Sequence, residues 1–387
     1  MDISTQKLIN TVILEFERKY TSIPIVTFSP GRINLIGEHT DYNDGFVFPA
    51  AIDKGIVSGI QKNNKSICSV YAFDAKSEHH FDKDNLNPLQ NGTWRNYVLG
   101  VVFEVMKKHV LNSNFDIIFT GNIPSGSGLS SSAALENSIV FGLNELFNLK
   151  MTQEEMIFIS QKAEHDFVNV KCGIMDQYAS MFGQENSAIL LDCRSLESII
   201  FPIDFKNYEI LLINSNVKHS LAESAYNDRR AVCEKIASML KVKALRDVSG
   251  EDLKSIKNQL TQEEYLKGLN VVEENERVLN ASKALKEKDL KLFGKLLFDS
   301  HDGLKNQYKV SCSELDFLVE LAKKDKNVLG ARMMGGGFGG CTINLVLKEH
   351  LIEFKKEIEQ LYEMQFLKKC SFYQVELSKG THRINVL

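Results

Sequence analysis

The chain has 387 residues, enough for two domains around a sizeable core, and its formal net charge is −4. That mild acidity speaks against nucleic-acid binding, which needs a basic patch or stripe. No run of about eighteen apolar residues marks a membrane span, and the seven dispersed cysteines form no C-x-x-C pair, which predicts reduced thiols, no zinc site and a cytoplasmic protein.

Residues 6–20 place Leu8, Ile9, Val12, Ile13 and Phe16 on one stripe and predict a helix. A strand is expected from Ile25 to Phe28, broken by Ser29-Pro30-Gly31. A second short alternation at Ile33 and Leu35 runs into a dense polar loop that carries Arg32, Glu38, His39 and Asp41 between glycines. A charged surface turn would explain any one of these residues. A guanidinium, an imidazole and two carboxylates at one strand end point instead to a binding loop. Two strand-like runs, 55–60 and 67–73, flank Lys62-Asn63-Asn64-Lys65, which reads as a hairpin turn. Residues 94–110 are helix-like, and Trp94 and Tyr97 suit either the core or a stacking contact with adenine.

The apolar run from Phe115 to Thr120 predicts a buried strand, followed by Pro124-Ser125-Gly126-Ser127-Gly128-Leu129-Ser130-Ser131-Ser132 and a helix to about Phe147. Strand, glycine-rich turn and helix start form a natural anion cradle, because free amides and the helix dipole favour negative charge. The lysine of a Walker A loop is absent. A serine-rich helix cap after a flexible turn would leave the same trace. A second helix, 153–167, has Thr152 as its cap and leads to Glu164. Lys171 to Gln177 then form a compact turn. Glu164 and Asp176 are candidate metal-binding or hydroxyl-orienting carboxylates; a solvated helix face and a helix cap are the alternatives.

Strands at 188–191, 199–201 and 210–214 carry the chain through a domain junction near 195–210. A helix follows from about His219, with Tyr226 on the flank of its apolar face. Ser249-Gly250 breaks the pattern, and 251–324 reads as helical scaffold. Gly335-Gly336-Gly337-Phe338-Gly339-Gly340 packs five glycines into six residues before a strand, which implies close backbone approach to a ligand or another loop. A helix at 352–362 and a strand at 371–376 follow.

Together these blocks resemble the galactokinase family of the GHMP superfamily. Gly31 to Gly45 is similar to the galactokinase signature. Pro124–Leu135, Cys172–Gln177 and Met333–Gly340 are similar to further family blocks, in the expected order. The resemblance implies an α+β fold of two domains, 1–200 and 201–387. The first would be ribosomal-protein-S5-like and the second ferredoxin-like, with the site in the cleft between them. It implies transfer of the ATP γ-phosphate, with Mg²⁺, to the anomeric hydroxyl of α-D-galactose by a monomer or weak homo-oligomer that binds neither nucleic acid nor membrane. Asp176 would be the catalytic aspartate and Arg32 the cation beside it. Glu38, His39, Thr40, Asp41, Gly173, Asp176 and Tyr226 would bind the sugar. Gly126, Ser127, Gly128, Leu129, Ser130, Ser131 and Ser132 would cradle the ATP phosphates, with Ser132 and Glu164 at the metal. Another sugar-1-kinase, such as one for N-acetylgalactosamine, and a non-catalytic galactose and ATP sensor share the scaffold. The sensor should show damage in the phosphate loop or at Arg32 and Asp176, and both are intact.

Overall fold

The computed structural model describes residues 3–217 and 222–385. Helix α1 (Ile3–Tyr20) buries Thr5, Ile9, Val12 and Phe16, one side of the expected stripe, on the first sheet. That sheet takes β1 (Ile25–Asn34), while β2 (Phe46–Val47) leaves for a smaller one; β3 (Pro49–Asn63), β4 (Cys68–Ala72) and β5 (Ser77–Phe81) continue the first. Gly59 of β3 lets α1 lie close, since a Cβ there would stand 2.7 Å from Val12. After α2 (Trp94–Met106), β6 (Asn114–Gly121) enters the first sheet, and α3 (Ser131–Phe147), α4 (Gln153–Ala163) and α5 (Met175–Phe182) cover its other face. Thr152 caps α4 as expected, its side chain accepting the Glu155 amide hydrogen.

Strand β7 (Ser187–Asp192) pairs with β2 on one side and β8 (Ser198–Pro202) on the other in a three-stranded sheet. β9 (Tyr208–Asn214) opens the next domain. Its helices are α6 (Ala222–Met239), α7 (Gly250–Ser255), α8 (Gln262–Lys286), α9 (Leu290–Gly303) and α10 (Ser313–Lys324). Ser249, read as a break, caps α7 in a reciprocal box with Asp252. β10 (Val328–Met333) and β11 (Cys341–Leu347) then pair antiparallel, α11 (Leu351–Phe366) packs on them, and β12 (Ser371–Gln374) completes the order β10-β11-β9-β12. One late segment rejoins the first sheet: β13 (His382–Ile384) pairs with β1, giving the order β13-β1-β3-β6-β4-β5.

Two expectations are corrected. Ser29-Pro30-Gly31 does not end the first strand, because β1 runs through it with a bulge between Pro30 and Arg32. Pro30 keeps its carbonyl in use by accepting the Ser180 hydroxyl at 2.7 Å. Nor do Lys62–Lys65 make a hairpin. β6 lies between the two runs, antiparallel to β3 and parallel to β4, so the connection crosses over it. Buried apolar runs such as Phe115–Thr120 seek central positions, and local turn chemistry gives way to that demand.

Candidate active site

The bulge in β1 sets up the site. Gly31 has no Cβ, and one would stand 2.6 Å from the Leu129 carbonyl; the Arg32 amide donates to that same oxygen at 3.1 Å. The strand and the glycine- and serine-rich loop before α3 are thereby tied, and Arg32 is aimed inward. Its Nε and Nη2 each donate to a different oxygen of Asp176 at 2.8 Å, across 144 residues of sequence. The third arm, Nη1, donates to the Gly128 carbonyl at 2.6 Å. Asp176 sits in the first turn of α5 and also accepts the Ser130 hydroxyl. Such a two-pronged pair fixes the carboxylate in angle as well as place. Its side chain keeps 27% of its surface open, on the cleft side.

That cleft, about 230 Å³, is lined by Arg32, Glu38, His39, Asp41, Ser132, Glu164, Asp176 and Tyr226, gathered from both domains. Beside it lies an opening of about 480 Å³ between Ser125, Gly126 and Gly128 of one loop and the 336–340 glycines of the other. Gly126, Gly128 and Ser130 all hold left-handed backbone angles, φ 69°, 72° and 57°. On the facing loop Gly337 (φ 85°) admits no side chain, since a Cβ would stand 2.2 Å from the Val310 carbonyl.

The loop from Gly37 to Phe46 is held from below by α8. Glu274 accepts the Gly37 amide hydrogen at 2.9 Å, and Asn275 accepts that of Phe46 at 2.8 Å. Glu38 accepts from the Gly335 amide at 2.8 Å and from Arg332 at 3.1 Å. Arg332 is fully buried and also donates to the carbonyls of Leu35, Met333 and Asn34. Burial pushes the Asp41 carboxyl up to about 7, with Asp176 adding to the shift. Burial also pushes His39 down to about 3, so the imidazole is neutral. Glu164 is raised by burial and by Asp176, against hydrogen bonds from Ser132 and Cys172 that favour its charge. Behind it, burial and the Glu164 charge hold Glu136 well above the carboxylate range. Burial opposes the Arg32 charge, but Asp176, Glu38 and Asp41 outweigh it and raise the guanidinium.

Not every expected residue faces the cleft. The Thr40 hydroxyl is turned away, with the carbonyls of Gly37 at 2.9 Å and Phe46 at 2.7 Å around it, so it holds the loop rather than lining the cleft. Ser127 donates to the Pro124 carbonyl at 2.7 Å, and Leu129 is core. Ser131 is exposed at the start of α3. Gly173 acts by its lack of a side chain: a Cβ would fall 2.0 Å from an Asp41 oxygen. Trp94 packs edge-on against Phe119 in the core, whereas Tyr97 reaches the cleft beside Ser132 and Glu164. Sequence reasoning missed Arg332, Glu274, Cys172 and the Gly335 amide. A lone arginine in the apolar strand Val328–Met333 was the available signal.

Among the described residues no group of three or more His, Cys, Asp or Glu forms a metal cluster. The donor pair Ser132 and Glu164 nevertheless fits Mg²⁺, which takes one or two protein oxygens and fills its shell with phosphate and water. A cation there would also answer the burial that raises Glu164.

Comparison with known proteins agrees with this geometry. The galactokinase galactose-binding signature matches residues 14–62, the GHMP kinases N terminal domain 96–184, and the GHMP kinases C terminal domain 281–363. A galactokinase of Clostridium beijerinckii is 42% identical over 368 residues, covering 93% of this chain and 94% of the relative. One of Thermotoga neapolitana is 40% identical over 357 residues, covering 92% and 99%. The crystal structure of Lactococcus lactis galactokinase complexed with galactose superposes with a TM-score of 0.93 at 35% identity, over 97% of this chain and 100% of that one. A Methanococcus jannaschii mevalonate kinase, at 19% identity and TM-score 0.68 over 92% and 99% of the two chains, shares the two-domain α+β fold. Likeness of this degree along almost the whole length, with the signature lying on the cleft just described, establishes that the chain belongs to the galactokinase family of GHMP kinases.

Proposed function

We propose that the chain transfers the γ-phosphoryl group of ATP to the C1 hydroxyl of α-D-galactose, yielding α-D-galactose 1-phosphate and ADP. The observation that carries this reading is the two-pronged Arg32–Asp176 pair, set where the sugar cleft meets the glycine-lined opening. Phosphoryl transfer asks a protein mainly for alignment and for stabilisation of moving charge. Asp176 takes the hydrogen bond of the C1 hydroxyl and turns its lone pair toward phosphorus. Arg32, already cationic and buried, lies within reach of the charge that develops on the bridging oxygen. Amides of the 126–132 segment and of the facing glycine loop hold the phosphates. Ser132 and Glu164 would hold Mg²⁺, which neutralises phosphate charge when bound. Glu38, His39, Asp41 and Tyr226 bind the sugar; a sugar that lacks the matching hydroxyl leaves their buried groups unpaired.

The division into domains 1–200 and 201–387, with β13 returning to the first, belongs to the same reading. So do a cytoplasmic setting, in keeping with cysteines that are all free thiols, and a monomer or weak homo-oligomer. The intact Arg32–Asp176 pair argues against a sensor without catalysis. The test is incubation of purified protein with Mg²⁺-ATP and galactose, N-acetylgalactosamine or glucose, with ADP release and phosphorus NMR as readouts. Galactose should give the anomeric phosphate, and chelation of Mg²⁺ should stop it. Galactose binding in the presence of ATP without turnover would overturn the kinase in favour of the sensor.

A further inference from the structure

His39 is placed with unusual care for a loop residue. It adopts a left-handed backbone, φ 62°, is 3% exposed, and its Nε2 is buried on the cleft without a hydrogen bond of good geometry, although the Gly336 backbone lies close enough to interact with the ring. Its other nitrogen starts a buried chain of polar atoms. Nδ1 lies 2.8 Å from the Tyr42 hydroxyl, which lies 2.7 Å from the Tyr308 hydroxyl, which lies 3.4 Å from Cys233 Sγ. We infer that Tyr42 and Tyr308 are positioning residues of the sugar subsite, holding His39 as the Nε2–H tautomer so that it meets the sugar as a hydrogen-bond donor. This rests on the galactose reading above.

The polarity follows from the strengths of the groups. A neutral imidazole carries one proton, and the hydrogen bond made by one nitrogen decides which of the two bears it. The imidazole lone pair is the best acceptor in the chain, a phenol is a good donor, and a thiol is weak at either task. With Tyr42 donating to Nδ1, Tyr308 donates to Tyr42 and the Cys233 thiol donates to Tyr308; every strong group is used well. Reversed, the chain spends the lone pair's nitrogen as a donor and ends on sulfur as acceptor. The buried setting that pushes His39 down to about 3 keeps the ring neutral, with one proton for the hydrogen bonds to place.

The neighbourhood makes this a rigid device. Tyr308 is fully buried at the end of a wide helical turn, Leu304–Tyr308, with its ring centroid 5.0 Å from that of His39. Its carbonyl accepts from Arg229 at 3.0 Å, on the same helix as Tyr226, and the nearby Val310 carbonyl accepts the Phe338 amide hydrogen at 2.7 Å. Glu38, Asp41 and Asp176 can present acceptors to sugar hydroxyls. A donor at His39 supplies what a sugar oxygen needs as acceptor.

The experiment is ¹⁵N NMR of histidine-labelled wild type without ligand, together with steady-state kinetics of Tyr42→Phe and Tyr308→Phe. We expect a protonated Nε2 and bare Nδ1 on His39. Tyr42→Phe should raise the galactose KM about tenfold, roughly one lost hydrogen bond, while kcat stays within about threefold and the ATP KM holds. Tyr308→Phe should do the same to a smaller extent. A protonated Nδ1 in the wild type, or a Tyr42→Phe enzyme with unchanged galactose KM, would overturn the inference. The NMR arm contains no sugar, so its outcome stands even if galactose proves not to be the substrate, and Tyr42→Phe serves should Tyr308→Phe fail to fold.

Discussion

One side of the cleft, read as the sugar side, is made of side chains, and the other, read as the nucleotide side, of backbone. Glu38, His39 and Asp41 are buried to 2%, 3% and 8% exposure, each with fixed partners or a raised or lowered pKa. Across the Arg32–Asp176 pair, glycines at 126, 128, 336, 337, 339 and 340 dominate the lining, and Ser130 beside them turns its hydroxyl to Asp176. On the proposed function, the difference follows from what each side would recognise. Phosphates are alike in every nucleoside triphosphate, and amides at a helix start suffice for them. Telling one hexose from another needs directional groups that suffer when left unpaired.

Variants can break that contrast or sharpen it. Asp176→Asn strikes the boundary and should cost about 10³-fold in kcat while leaving both substrate affinities nearly intact by calorimetry; near-normal turnover would remove Asp176 from the mechanism. Next in size is a pH effect on the sugar side. Between its ordinary 3.8 and about 7, Asp41 keeps a proton in the folded protein that the unfolded chain has released. Stability therefore falls as pH rises through that window. Asp41→Asn should match wild type near pH 4 and exceed it above pH 7 in urea titrations, and an equal offset at both ends would refute the raised carboxyl. Thr40→Val, which strips two loop carbonyls of their hydroxyl neighbour, should lose about 2 kcal/mol of stability with little change in galactose KM at low temperature. A large KM change with stability intact would return Thr40 to the sugar. Gly126→Ala is the mildest: a Cβ there meets nothing within 4 Å, yet φ is 69°, so about 1 kcal/mol of strain is expected. ATP KM should rise and galactose KM should not; the reverse would undo the assignment of the two sides.

The local half of this site was legible in the sequence, because a glycine-rich turn or a cluster from Arg32 to Asp41 is written in consecutive residues. Long-range choices were not. That Pro30 stays within a strand depends on Ser180, and that β6 separates β3 from β4 depends on which apolar run claims the sheet centre. Thr40 carries the same residue type whether it faces sugar or carbonyl, so only the folded loop distinguishes the roles. Arg332 and Tyr308 act through partners 294 and 266 residues away, Glu38 and Tyr42; a lone arginine in an apolar strand marks the first, but no pattern within either segment names the partner.

The returning strand β13 has a consequence for how the protein is made. β1, the strand that delivers Arg32, pairs on one side with residues 382–384, and Ser29 within it contacts the Thr381 hydroxyl at 2.8 Å. During synthesis the first sheet therefore keeps one edge of β1 open until residues 382–384 have emerged. So late a closure makes for slow folding and a long exposure to wrong partners. It also couples the strand that carries Arg32 to a residue 352 positions beyond Ser29, so a nascent chain stopped short of residue 381 would carry every residue of the cleft and still lack the brace behind that arginine.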